Sequence, residues 1–365
     1  MNTVLEWLLW FLPALALTVL VRFCLKKKKI KTSARIGLDA AELIFGFVFG
    51  VLMLAGPVAL RPVQPLMLAF YAAFVPDAAA DIIYCAVTAI AKKEKKYAVS
   101  QLICLAFTML FFIYGTVNMQ IVKPEYHTIL SDKVTGEHRF VMLADVHTGG
   151  PQEFKVLEST AEKIAAEKPD FVVLCGDITD DYTTKEETRR VYGIFGTLDC
   201  PVYFIYGNHD RQAHAEYANG RQYTEEELES IIKSNGIEIL CDESVRISDD
   251  FMFAGRDDRS ANPDRLPAEQ LGISDFDGFV AVADHQPNDA QATADAGADL
   301  MLSGHTHAGQ LFPFKIFYDL FICDACGEYE YGNETLIVTA GESGWRLPFR
   351  TQSGCAFEII TVMPE

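Results

Sequence analysis

Beyond residue 122 the chain is short of positive charge: 19 Lys and Arg stand against 44 Asp and Glu, a balance of −25. Non-specific binding to a nucleic-acid backbone needs a cationic surface, so no nucleic-acid partner is expected. No basic residue precedes the first apolar stretch; Glu6 sits in front and the lysines follow it, which argues against a cleaved secretory leader. Nine cysteines include one Cys-x-x-Cys pair, Cys323 and Cys326, without a second pair or a nearby histidine. That leaves a local disulfide or two thiols, and little case for a zinc site. There is no internal repeat and no low-complexity segment, which excludes a solenoid or a tail of biased composition.

What the first 122 residues do contain is long apolar runs, with a charge balance of +6. Four stretches, at about 4–25, 37–60, 65–91 and 97–121, are each long enough to cross a bilayer of about 30 Å as a helix. Basic residues collect after the first (Lys26–Lys29, Lys31, Arg35) and after the third (Lys92, Lys93, Lys95, Lys96). Both clusters then fall on the cytoplasmic side, and the fourth span delivers residues from about 123 to the extracytoplasmic side. The third stretch is interrupted by Pro76, Asp77 and Asp81. The two aspartates share a helical face, as a polar pathway or partner site would require; a break or re-entrant bend is the alternative, and the more expected one.

After a polar connector (123–137) the pattern changes to alternating short apolar strands and helical segments. Five polar motifs each follow an apolar strand by one or two residues: Asp145-Val146-His147, Gly176-Asp177-Ile178-Thr179-Asp180, Gly207-Asn208-His209-Asp210, Asp284-His285 and Gly304-His305-Thr306-His307. In open α/β sheets, groups at the carboxyl ends of strands converge on one edge. Five of the eight histidines lie in these motifs, which makes chance placement a poor account of them. Carboxylate oxygens mixed with imidazole nitrogens suit divalent manganese, iron, zinc or cobalt. The glycines before Asp177, Asn208 and His305 permit tight turns and close backbone approach. Cys175, in an apolar strand, reads as a core residue.

Taken in this order, the motifs resemble the calcineurin-like metallophosphoesterase superfamily over residues 138–363. The resemblance implies an α/β fold, a four-layer sandwich of two mixed β-sheets flanked by helices, here preceded by an all-α transmembrane bundle. It implies a division into residues 1–122, a connector 123–137 and a catalytic domain 138–365. It further implies two divalent metal ions. Asp145, His147 and His307 would hold the first, Asn208, His285 and His305 the second, and Asp177 would bridge them. His209 would be the non-ligand histidine that protonates the leaving oxygen, with Asp180 orienting it. Many protein phosphatases of the superfamily carry arginine after Gly-Asp-x-x-Asp; Asp181 stands there, which counts against a phosphoprotein substrate. Gly304 to Gln310 and the later Gly344, Pro348 and Arg350 resemble a membrane-anchored bacterial branch that includes UDP-2,3-diacylglucosamine diphosphatases. Arg350 would then contact phosphate, or make an ordinary salt bridge.

The expected function is hydrolysis of a phosphate ester of a small molecule or lipid, most simply an envelope lipid or glycolipid, by a protein whose partner is the bilayer. A nucleotide or cyclic-nucleotide phosphodiesterase, and a non-catalytic sensor or scaffold that keeps the fold, are the rival readings. Phe312 to Phe321, rich in aromatics, would form a membrane-facing flap or a buried hairpin. Trp345 and Phe349 would line an apolar entrance or belong to the core.

Overall fold

The computed structural model describes residues 4–27, 32–55, 63–93, 96–215 and 220–365. They divide into two compact units, one of residues 1–118 with Leu347–Thr351, the other of residues 119–346 and 352–365.

The first unit is helical: α1 (Val4–Lys27), α2 (Thr32–Ala55), α3 (Gln64–Ile90) and α4 (Tyr97–Asn118). Among the described residues α3 and α4 are long and apolar enough to cross a membrane, and 8–24 of α1 form a shorter apolar helix. The second expected span ends at 60, and its residues 56–60 lie outside the described residues. The expected bend at Pro76 is absent; α3 runs unbroken through it. The reason lies 55 residues away in sequence from Asp77. Arg22 of α1 meets Asp77 and also Asp81 (3.3 Å), Asp39 (3.0 Å) and Glu42 (3.4 Å), all largely buried. Ser100 of α4 donates to Asp81. The carboxylates are thus held inside the bundle by a partner that no local pattern shows. Leu347–Thr351 completes this unit. Phe349 packs on Phe111 and Phe112, with ring centroids 5.9 and 6.1 Å apart. Gly115 leaves it room, since a Cβ there would lie 2.4 Å from the Phe349 ring.

The second unit holds two six-stranded sheets. The first has the order β1-β12-β2-β3-β4-β5, with β1 (Val122–Leu130), β2 (His138–Leu143), β3 (Phe171–Cys175), β4 (Val202–Ile205), β5 (Ile237–Ile239) and β12 (Cys355–Met363). The second runs β10-β11-β9-β8-β7-β6: β6 (Glu243–Arg246), β7 (Phe251–Gly255), β8 (Phe279–Ala283), β9 (Leu300–Ser303), β10 (Gly327–Tyr331) and β11 (Glu334–Val338). Strands β2 to β5 are mutually parallel, as are β7, β8 and β9. The residues expected as a connector therefore open with an edge strand: β1 pairs in parallel with β12. Its Pro124 is tolerable there because an edge strand has one unpaired side.

Period-two alternation sorts the side chains. Phe140 and Met142 of β2 and Phe171, Val173 and Cys175 of β3 meet Phe251, Phe253, Phe279 and Leu302 in the core between the sheets. Val141, Leu143, Val172 and Leu174 point the other way, onto α5 (Phe154–Glu167), α6 (Lys185–Phe195) and α7 (Glu225–Ser234). On the far side α8 (Ala290–Asp295) covers the second sheet, and α9 (Phe314–Phe321) follows the last motif.

Glu334, at the head of β11, is completely buried. One oxygen accepts from Thr293 Oγ1 (3.1 Å) and the other has no partner. Burial pushes its carboxyl up to about 8. A raised folded-state value means the stabilisation is complete below the ordinary glutamate range and lost as pH rises through about 8. The thermal midpoint should therefore fall between pH 6 and 9, and Glu334→Gln should flatten that slope, as melts of both proteins at the two pH values would show.

Candidate metal centre

All five motifs sit at carboxyl ends of parallel strands: β2, β3 and β4 of the first sheet, β8 and β9 of the second. Asp145, His147, Asp177, His305 and His307 all have positive φ, between 46° and 71°. Side chains that continued the strands would alternate up and down; the left-handed turns aim them at one another instead. Two glycines make the approach possible. A Cβ on Gly207 would lie 2.3 Å from Asp177 Oδ1, and one on Gly304 would lie 2.5 Å from Asp145 Oδ2.

Asp145, His147 and His307 each offer a ligand atom, the three lying within 4.8 Å of one another, and Asp177, His285 and His305 do the same. The first group has the three residues expected for one ion; the second has His285 and His305 of the other expected set, with Asp177, the expected bridge, beside them. His285 Nε2 is 3.2 Å from Asp177 Oδ2 and 4.0 Å from Asp145 Oδ1, so the sets adjoin.

Hydrogen bonding tests whether metal ions fit. The Nδ1–H of His307 donates to Ser343 O (3.0 Å), that of His285 to Cys175 O (2.9 Å), and that of His147 to Asp180 Oδ2 (2.7 Å). With Nδ1 committed as a donor, a neutral imidazole presents a lone pair at Nε2. Yet His147 Nε2 and His307 Nε2 are 3.0 Å apart, with Asp145 Oδ1 3.9 and 3.6 Å away. Two lone pairs and a carboxylate at that separation suit a cation, a metal ion or a shared proton, among them. Asn208 Oδ1 is buried with no hydrogen-bond partner in the protein, as expected of an atom reserved for a metal ion, and the polar neighbour of His285 Nε2 is the Asp177 carboxylate at 3.2 Å. The donor set fits.

Residues 138–309 match the calcineurin-like phosphoesterase family. This is a calcineurin-like metallophosphoesterase domain. A transmembrane protein with metallophosphoesterase domain from Danio rerio is 28% identical over 275 residues, which are 69% of this chain and 60% of that protein. The Bos taurus protein of the same name is 27% identical over 72% of this chain and 62% of its own. An uncharacterized metallophosphoesterase of Campylobacter jejuni is 28% identical over 83% of this chain and 84% of its own. The chain thus spans about three fifths of the length of the two vertebrate relatives.

Within the metallophosphoesterase domain, the partner of His209 differs from expectation. Its Nδ1 lies 3.0 Å from Asp181 Oδ2 and 3.6 Å from Asp180 Oδ1. Asp180 spends its other oxygen on His147. Asp180 is therefore chiefly the orienting carboxylate of a metal-set histidine, and Asp181 is the main support of His209. Asp181 in turn is fixed by the backbone N–H of His214 (2.8 Å). Burial alone would lower the His209 pKa, but the Asp180, Asp177 and Asp181 carboxylates outweigh it and hold the value near 10.

Two further aspartates organise the domain without joining the ligand sets. Asp210 accepts from the backbone N–H groups of Asp177 (2.8 Å), Thr179 (2.9 Å) and Gly207 (2.7 Å), tying the second motif to the third. Asp284 is buried on Arg265, with contacts of 2.6 and 3.0 Å, and on Arg256 (3.0 Å), which fixes the backbone ahead of His285. Trp345 lies with its ring 6.2 Å from His209, whereas Phe349 and Arg350 belong to the helical unit. Arg350 is completely buried, its N–H donating to Gly115 O (2.9 Å) and its C=O accepting from Asn118 Nδ2 (3.2 Å). Cys323 and Cys326 are free thiols, and Cys175 lies in the inter-sheet core.

Proposed function

We propose that this protein is a membrane-tethered phosphoesterase that hydrolyses a phosphorylated lipid or glycolipid at the bilayer surface through a two-metal centre. The observation that carries the reading is the pair of adjoining ligand sets in which imidazole nitrogens face one another and Asn208 Oδ1 goes unpartnered. When bound, the two divalent ions would supply Lewis acidity to a phosphoryl oxygen and make water a better nucleophile. Asp145, His147 and His307 would hold one ion, Asn208, His285 and His305 the other, with Asp177 between them. His209 stands beside these sets with its Nδ1 held by Asp181, which leaves Nε2 to give a proton to the departing oxygen. Trp345 limits the space next to that imidazole.

The lipid reading draws on α9, which begins seven residues after His307. Phe312, Ile316, Phe317, Leu320 and Phe321 in and beside it are 43 to 72% exposed, while Lys315 and Asp319 pair with each other at 2.7 Å. A short helix with that much bare apolar surface suits the interfacial region of a bilayer, and the chain carries helices able to cross one. The lysine clusters at 26–31 and 92–96 support a multi-pass arrangement with residues from 119 onward outside the cytoplasm. Protease treatment of intact cells tests this: cleavage only after lysis would place the domain inside.

Purified protein with added manganese should hydrolyse p-nitrophenyl phosphate or its bis-ester, and release phosphate or a headgroup from a lipid extract. Metal-loaded protein inactive on all three would sink the enzymatic reading. His209→Gln should keep its metal and lose roughly 10²–10⁴-fold in turnover. Asp181→Asn should follow His209→Gln with full metal content, whereas Asp180→Asn should also weaken metal binding, on the order of 10–100-fold. Metal analysis beside turnover separates the two roles.

A further inference from the structure

A second cluster of metal-type donors lies away from the five motifs, where the outer strands of the two sheets approach. Strand β1 carries Glu125 and His127, which share a face by the period of two. In the register of β1 on β12, Glu125 stands directly opposite Glu358. From the edge of the other sheet, β10 brings Glu328 to the same imidazole. Glu125, His127 and Glu358 each offer a ligand atom, all within 4.8 Å of one another.

Two carboxylates, those of Glu328 and Glu358, already meet this one imidazole, and Glu125 lies beside them. Like charges directly opposite on neighbouring strands repel. Glu358 is 1% exposed, and its Oε1 has no hydrogen-bond partner, a costly state for a buried carboxylate oxygen. Nδ1 of the imidazole meets Glu328 Oε1, while Nε2 lies 2.9 Å from Glu358 Oε2 and, with no cation between them, donates a proton to it. A carboxylate on one ring nitrogen, with the other turned to oxygen donors, is the arrangement in which histidines hold zinc.

We propose that His127, Glu358 and Glu125 form a third divalent-cation site, with Glu328 orienting His127, which pins the edge of the first sheet to that of the second. One nitrogen and two or more carboxylate oxygens suit zinc with a water completing four-coordination. The cation would take the place of the proton on Nε2, and that proton would leave to solvent. This site shares no residue with the two-ion centre and does not depend on its assignment.

Full-length protein in detergent micelles, stripped by chelator, reloaded with zinc and desalted, tests it by zinc analysis. Wild type should carry one more zinc per chain than Glu125→Gln or His127→Gln. Hydrolysis of p-nitrophenyl phosphate should change less than about twofold, while the rise in melting temperature on adding zinc shrinks in both variants. Equal zinc content in wild type and Glu125→Gln would overturn the proposal. In that case the cluster is an imidazolium held by two carboxylates, and only His127→Gln should lower the melting temperature, with or without zinc. Glu125 is exposed and its substitution leaves both contacts of His127 in place, so that variant decides even if His127→Gln fails to fold.

Discussion

Asp177→Asn should leave a folded protein that holds less metal and turns over on the order of 10³-fold more slowly, or worse. Asp177 follows β3 at the point where both ligand sets meet: Oδ2 is 3.2 Å from His285 Nε2 and 3.8 Å from His147 Nε2. Burial alone would raise its pKa, but His285, His209 and His147 hold it well below the usual carboxylate range. Asparagine matches it in shape and removes the negative charge. The substituted oxygen can still accept from the His209 N–H, which Asp177 Oδ1 does at 2.8 Å, so the loop should survive. Metal content, melting temperature and turnover measured together would show metal and activity falling while the melt stays cooperative. A variant with full metal content and full activity would remove Asp177 from the centre.

The second large effect is expected in the helical unit. Arg22→Met should destabilise the full-length protein severely. Removing one side of a buried ion pair costs roughly 3–5 kcal/mol, and here Asp39, Glu42, Asp77 and Asp81 lose the same partner. The bundle would have to protonate them, admit water or come apart. Arg22→Lys should be intermediate, because an ammonium cannot fork toward several carboxylates as a guanidinium does. Detergent-solubilised protein should show a lower melting temperature in the order wild type, Lys, Met, with aggregation for the last. An unchanged melt for Arg22→Met would mean that the cluster contributes nothing to holding the helices together.

The contrast between the two sites shows what a sequence discloses. The ligand sets were legible because each motif is local: a short apolar strand with a donor soon after it, preceded by a glycine in three of the five. Their convergence follows from parallel strands ending at one edge. The support of His209 was not legible in the same way. Asp180 and Asp181 are neighbours, and only the course of the loop decides that one faces His147 and the other His209. Asp210 sits inside a motif, yet its service to three backbone N–H groups depends on turns that no residue pattern specifies. Pro76, Asp77 and Asp81 suggested a break because their partner, Arg22, lies on another helix. Strand β1 was missed because an edge strand with Pro124 and four charged or titratable residues lacks the apolar alternation that marks buried strands. The aromatic run after His307 was visible, but not that it winds into a helix with its apolar side uncovered.

The short stretch Leu347–Thr351 bears on any attempt to study the metallophosphoesterase half by itself. It lies between strands of that half in sequence and is packed among α4 and its neighbours in space. A fragment starting at residue 119 would carry these five residues along and leave behind the surroundings that bury Phe349 and Arg350. Bare aromatic surface and an orphaned cation would then sit four and five residues past Trp345, close in the chain to His209's neighbour. Poor behaviour of such a truncation would report on the cut rather than on the domain, and a usable fragment would need the loop redesigned first.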